Sequence, residues 1–391
     1  MKYLLEESIR EISSEKGAEL FFKELCNADQ WLLSYGTETN VFPLDVEGGA
    51  MGIDILRKDK NIPAEIMDES IVEALGNTVL GITLSNGLSY PIGSTAYGSL
   101  MTMSGFPNAT ALTYRPNKSE DVLPNASERA FCFNLGLNGY ADKKKLLFLV
   151  RDEKVRGVLS GNESDYSVLR FDELMKELKK GLKKFDDVQF VNATASYEYS
   201  TVEYTCEDPA LLRRIADVFN QAGVGFSNPK MDVQLISSDI GISGANIYPF
   251  VRDGKTLRMI GKPVGLTHKN KHTVKDFAAN VQLIYSMFKD AADKLEAMQT
   301  VRIKHPAGCL LRLAKHIGLS KQMACEEAPK FETMYGNNTY QIDVYWKLYE
   351  ILDDMIAKNN MSQSRQLQLQ EQICQIAFSE MADYDLPFQW D

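Results

Sequence analysis

From Leu146 to Ile260 the chain is written as short apolar runs punctuated by turn signals, and from Thr273 onward its apolar residues recur at helical spacing. Strands gathered in one block between helical blocks specify an α+β fold. Within the block, Leu146–Val150 and Val155–Leu159 flank Arg151–Lys154 as a hairpin. Val188–Ala195 and Tyr197–Cys206 read as two further strands, the second alternating Tyr197, Tyr199 and Thr201 with Glu198 and Ser200. Strands at Val233–Ile236, Ala245–Val251 and Thr256–Ile260 follow, with Asp253-Gly254 as the turn between the last two. Two amphipathic helices lie among them. One is Phe171–Phe185. The other opens on Asp208-Pro209, aligns Leu211, Leu212, Ile215, Val218 and Phe219 on one face, and stops at Gly223.

The first third reads as largely helical with long loops. Leu4 to Leu33 has apolar residues at mixed helical spacing, interrupted near Gly17. Pro63 starts a helix whose face carries Ile66, Ile71, Val72 and Leu75 up to Gly76. Asn77–Pro107 reads as turns and a small-residue surface, and Ser119 opens a helix closed by Gly136 and Gly139. In the last third, Val274, Phe277, Val281, Ile284, Tyr285, Phe288, Ala292, Leu295 and Met298 form one stripe over about seven turns. It packs internally or against a second subunit of a homo-oligomer. Helices at Gly308–Ile317, Tyr340–Lys358 and Met361–Met381 complete the chain. The expected organisation is a mainly helical N-terminal region (1–109), a central, mostly antiparallel sheet domain with packed helices (110–272), and a helical C-terminal region with an acidic tail (273–391).

The N-terminus shows no secretory signal, and no apolar stretch approaches the ~18 residues needed to span a bilayer. A cytoplasmic protein without membrane association is expected. The six cysteines lack Cys-x-x-Cys spacing and read as reduced, buried thiols. A net charge of −10 excludes a protein that coats nucleic acid over its whole surface. The charge is polarised, however. Residues 1–76 hold 16 acids against 7 bases, Arg252–Lys275 holds seven bases against one acid, and five acids but no base follow Arg365.

No phosphate-cradling glycine loop, zinc-binding pattern or nucleophile elbow is present, so no catalytic residue, metal or cofactor is assigned. Gly93-Ser94 fails as a nucleotidyltransferase loop because residues 95–119 contain no acid. Cys309 lies near His305 and His316 but shares an apolar helix side with Leu310, Leu311 and Leu313, which favours core packing. The candidate binding surface is the basic stretch. There Arg252, Lys255, Arg258, Lys262, Lys269, Lys271 and Lys275, with His268 and His272, line a phosphate track. Tyr248 and Phe250 in the preceding strand supply stacking rings. The competing reading is a solvated patch that pairs with the chain's own acidic ends. The tail Asp383, Asp385, Leu386, Pro387 and Phe388 resembles the acidic tip of bacterial single-stranded-DNA-binding proteins. Those tips end on the Phe carboxylate, whereas Gln389-Trp390-Asp391 follow here. Such a tail would compete with nucleic acid for the basic surface or recruit a host protein.

Three segments carry a wider resemblance. They are Val150–Ser160 followed by Tyr166, Ser237-Ser238-Asp239-Ile240-Gly241 followed by a strand with a proline, and the basic run ending in His268 or His272 before a long helix. In this order, over residues 110–325, the chain resembles the family of phage and plasmid proteins described as "phage/plasmid-like protein" with a domain of unknown function. It departs from that pattern at Ser237-Ser238-Asp239, where the family has Asn-Ser-Glu, and at Arg258–Gly261, where the family shows a Cys and an Asn-Gly. The resemblance implies a mobile-element context. Together with the charge it leads to a nucleic-acid-binding accessory protein acting on single- or double-stranded DNA in replication, recombination or single-strand annealing. The alternative is a protein-binding module, such as an acidic inhibitor of a host defence enzyme.

Overall fold

The computed structural model describes residues 9–44, 78, 80–106, 125–139, 145–162, 165–223, 228–254, 256–359, 361–379 and 381–388. The first third is mixed rather than mainly helical. β1 (Arg10–Ile12) leads into α1 (Glu15–Ala28), β2 (Gln30–Tyr35) and β3 (Asn40–Pro43). β4 (Leu80–Thr83), β5 (Ser89–Pro91) and α2 (Ser94–Met103) occupy the stretch read as turns. These strands are three to six residues long, and β1, β2 and β3 hydrogen-bond to distant partners, so local periodicity does not reveal them. Gly17 belongs to the first turn of α1 rather than interrupting a helix. Its N–H donates to the Oγ of the N-cap Ser14 at 3.2 Å, and a Cβ there would stand 2.7 Å from that oxygen. The Pro63–Gly76 expectation lies outside the described residues, as does Ser119. The helix that Ser119 was to open runs as α3 (Ala126–Gly139).

β6 (Lys145–Arg151) and β7 (Lys154–Ser160) form the expected hairpin. Asp152 and Glu153 both take positive φ, 52° and 57°, as a two-residue type I′ turn demands. β2 adds to β6, setting Trp31 opposite Leu149 and Leu33 opposite Leu147. This pairing joins a strand of the N-terminal region to one of the central region. β3, β4 and β5 make a second small sheet, linked to the first by a parallel bridge between Ile92 and Val155. α2 and α3 pack with these sheets around Tyr90, Tyr97, Phe133 and Phe148. The edge of β3 is closed by a side chain. Asn134 of α3 accepts from the Val41 N–H and donates to the Val41 carbonyl, both at 2.7 Å. The amide takes the place of a neighbouring strand and blocks edge pairing.

α4 (Phe171–Gly181), β8 (Asp187–Ala195), β9 (Ser200–Glu207), α5 (Pro209–Gln221), β10 (Lys230–Ser237), β11 (Ala245–Asp253), β12 (Thr256–Met259) and β13 (Val264–Leu266) build the main sheet. Its antiparallel order is β1-β8-β9-β10-β11-β12, with β13 also on β11. Period two sorts its side chains. Val202, Tyr204, Cys206, Met231, Val233 and Leu235 enter the core shared with α1, α4 and α5. Thr201, Glu203, Thr205, Asp232 and Gln234 alternate with them on the opposite face and are also buried.

The C-terminal helices are α6 (Val274–Val281), α7 (Ile284–Met298), α8 (Pro306–Ile317), α9 (Lys321–Tyr335), α10 (Gln341–Lys358) and α11 (Gln363–Ser379). The long stripe is divided between α6 and α7 and packs within the chain, since Phe277, Val281, Ile284, Phe288, Leu295 and Met298 all join the main core. Gly181 lets α4 and α6 approach closely, because a Cβ there would meet Val281 Cγ1 at 1.9 Å. Among the described residues no helix is long and apolar enough to cross a membrane.

Candidate nucleic-acid interface

The basic stretch begins in β11, and its first members are turned inward. Phe250 has no exposed surface, and Tyr248 is 6% exposed. Arg252 spans two carboxylates of neighbouring strands, pairing with Asp232 through Nε and with Glu203 through Nη2. Asp232 also accepts from Thr205 Oγ1 at 2.8 Å. Two buried acids thus stand against one guanidinium. Burial, with Asp232 beside it, pushes Glu203 up to about 7. Arg258 is buried against the Trp346 and Tyr349 rings of α10, 5.4 and 5.1 Å from their centroids, and is ion-paired to Asp353. Tyr248, Phe250 and Arg258 are corrected from nucleic-acid contacts to interior groups, and Arg252, half-buried, is committed to two carboxylates of the chain itself. Lys255 lies outside the described residues.

His268 is likewise interior. It is stacked on Tyr166 at 5.3 Å, and Tyr166 is stacked on Trp31 at 5.6 Å. Nδ1–H donates to the Ser167 carbonyl at 3.0 Å, which leaves Nε2 to accept from Ser237 Oγ at 3.1 Å. Burial lowers the imidazole's affinity for a proton against the raising influence of Asp239, so His268 supplies no cation to a phosphate. The Ser237–His268 pair has the bonding of a nucleophile and its base, but both side chains are buried and a backbone carbonyl stands where a carboxylate would orient the ring.

The same region shows what the sequence hid. Arg151, at the hairpin, donates to both oxygens of Asp29 at 2.5 and 2.8 Å and to Asp239 at 3.0 Å. Tyr166 Oη donates to the Asp239 carbonyl at 2.8 Å. The three segments of the sequence resemblance therefore converge on one buried network that joins the small sheet to the main one. Asp29 and Trp31, from the N-terminal region, complete it. No local pattern marks these contacts, whose members are 88 and 122 residues apart.

The remaining basic side chains do face solvent. Lys262, Lys269, Lys271 and Lys275 are exposed, and His272 is half-buried with Nδ1–H on the Thr267 carbonyl at 2.9 Å. Asn270 and Lys271, at φ of 60° and 59°, turn the loop so that the His272 N–H returns to the Lys269 carbonyl. The acidic tail is strapped to the chain itself. Asp385 accepts from the Lys304 and His305 N–H groups at 2.7–3.1 Å, ahead of α8. Arg312 donates to the Leu386 and Pro387 carbonyls at 2.6 and 2.8 Å. The reading of the tail as a free partner-binding tip is corrected at Asp385, which serves as a cap. Asp383, Leu386, Pro387 and Phe388 keep exposed surface.

One cleft borders this region. It has a volume of about 680 Å³ between the main sheet and α11, with Tyr199, Asn246 and Tyr248 on one wall and Arg365, Gln368 and Glu371 on the other. Gly244 on its rim abuts the Leu266 carbonyl, and Asn246 lies opposite Gly265 of β13. Among the described residues no group of three or more His, Cys, Asp or Glu side chains is placed to hold a metal ion. No known family, curated protein or solved structure matches the chain.

Proposed function

We propose that this protein is a nucleic-acid-binding accessory protein of the phage or plasmid kind, acting in replication, recombination or single-strand annealing. The observation that supports the reading is the sorting of the basic stretch. Arg258 and His268 are engaged inside and the half-buried Arg252 is paired with two acids, while Lys262 between β12 and β13, Lys269 and Lys271 between β13 and α6, and Lys275 at the start of α6 are exposed. Flexible exposed ammonium groups on an acidic protein give a local, sequence-independent contact with phosphates. The protein-binding alternative rests on Glu327, Glu350, Asp353 and Asp354 around one shallow cleft. There Lys347 bridges Glu327 and Glu350, and Arg258 holds Asp353, so much of that charge is already balanced.

The test is fluorescence anisotropy of labelled single- and double-stranded oligonucleotides at two salt concentrations. Binding that weakens steeply with salt is expected. Changing both Lys269→Glu and Lys271→Glu should reduce the log–log salt slope by roughly 1.5 to 2. No binding at low salt would overturn the reading.

A further inference from the structure

We propose that the cleft between the main sheet and α11 seats an unpaired base of a single-stranded nucleic acid, with the strand's backbone lying on the adjacent lysine loop. This inference rests on the nucleic-acid reading and adds to it the place where bases are taken up.

The chemistry of the walls selects a base over a phosphate. Tyr199, half-exposed on the sheet wall, offers an aromatic ring that stacks on any base because every base has a π-face, and the buried Tyr248 ring backs that wall. Asn246 and Gln368 present amides from opposite walls: Asn246 Nδ2 donates to Ser243 and Tyr248, which leaves Oδ1 to accept from a base, and Gln368 Oε1 accepts from Arg365, which leaves Nε2 to donate to one. Glu371 has no ion pair among the described residues, and its carboxylate repels a phosphate while accepting from a base N–H, whether the ring N3–H of thymine or uracil or an exocyclic amino group. Burial raises its proton affinity without removing that acceptor. A volume of about 680 Å³ falls in the range of small-molecule sites, about 300–1,000 Å³.

The position fits a strand lying across the rim. A Cβ on Gly244 would stand 2.6 Å from the Leu266 carbonyl oxygen, and only two residues separate Leu266 from Lys269, at most ~11 Å between their Cα atoms even when extended. A sugar-phosphate held by Lys269 and Lys271 thus runs near the mouth, while the cation on the cleft wall, Arg365, is engaged by Gln368 Oε1 and the Gly318 carbonyl. A paired base is withheld from such a cleft unless it leaves the duplex, so single strands are preferred.

The experiment compares anisotropy titrations of labelled oligothymidylate of about 16 nucleotides, an oligouridylate and an abasic strand of the same length, and a duplex, at low salt. The proteins are the wild type, Gln368→Trp, which fills the cleft from an exposed helix position, and Tyr199→Ala, which removes a half-exposed ring. Far-UV circular dichroism confirms the fold of each, and either folded variant suffices. The expected result is that the abasic strand binds the wild type about tenfold or more weakly than oligothymidylate. Gln368→Trp or Tyr199→Ala should lower oligothymidylate to the abasic level while leaving the abasic strand unchanged. Equal affinity for uridylate and thymidylate supports base uptake from RNA and DNA alike, and a preference assigns the site to one of them. Equal wild-type binding of abasic and normal strands, or variants without effect, overturns the cleft and leaves the nucleic-acid reading standing. Failure of every oligonucleotide to bind overturns both.

Discussion

Glu203→Gln should flatten part of the pH dependence of stability. In the folded chain Glu203 and Asp232 both pair with the single guanidinium of Arg252, two buried carboxyl groups against one cation. Burial and Asp232 move Glu203 from its ordinary 4.5 to about 7. Its folded-state affinity for a proton is raised, so the associated stability is complete below about pH 4.5 and is lost as pH rises through 7. At about 1.4 kcal/mol per pH unit the whole span is worth about 3 kcal/mol, of which roughly 2 to 3 kcal/mol falls between pH 5 and pH 8. The amide introduced by Glu203→Gln would donate to Asp232 as the protonated acid does and would carry no titration. Urea unfolding followed by tryptophan fluorescence at pH 5, 6, 7 and 8 measures it. Relative to the wild type, the variant should gain stability steadily with pH, by up to about 3 kcal/mol at pH 8. A difference that stays constant across the range, or one that shrinks as pH rises, refutes the argument.

Other outcomes follow from individual contacts. Arg151→Met strands Asp29 and Asp239 without their shared cation and should cost about 3–5 kcal/mol in urea unfolding, whereas the double change with Asp29→Asn should recover part of it. Gly181→Ala should destabilise by about 1–3 kcal/mol, because its Cβ must displace Val281 where α4 crosses α6. Asp385→Ala removes acceptors from the Lys304 and His305 N–H groups and should cost about 1 kcal/mol, with limited proteolysis cutting the released tail sooner than in the wild type.

How far the sequence reaches is clearest in β9 to β12. The period-two runs and the Asp253-Gly254 turn located these strands to within a few residues, because alternation and turn chemistry are local. β9 begins at Ser200 rather than Tyr197 because Ser196 Oγ captures the N–H groups of Glu198 and Tyr199 in a turn. The helix opened by Asp208 was equally legible, its cap being three residues from the N–H it receives. α9 went unseen, with its apolar face weak and Pro329 in its interior.

The sequence by itself determined the α+β class, the strand block, most helices after Phe171 and the concentration of positive charge between Arg252 and Lys275. Only the tertiary structure decided which of those charges meet solvent. Arg252 is held by acids 20 and 49 residues away, Arg258 by one 95 residues away, and His268 by a carbonyl 101 residues away. Alternation assigns a side chain to one face of a strand, but whether that face is covered depends on elements packed from elsewhere in the chain. The loop lysines remained outside because long, flexible ammonium side chains are costly to bury without a partner, and the turn at Asn270 and Lys271 carries them away from the sheet.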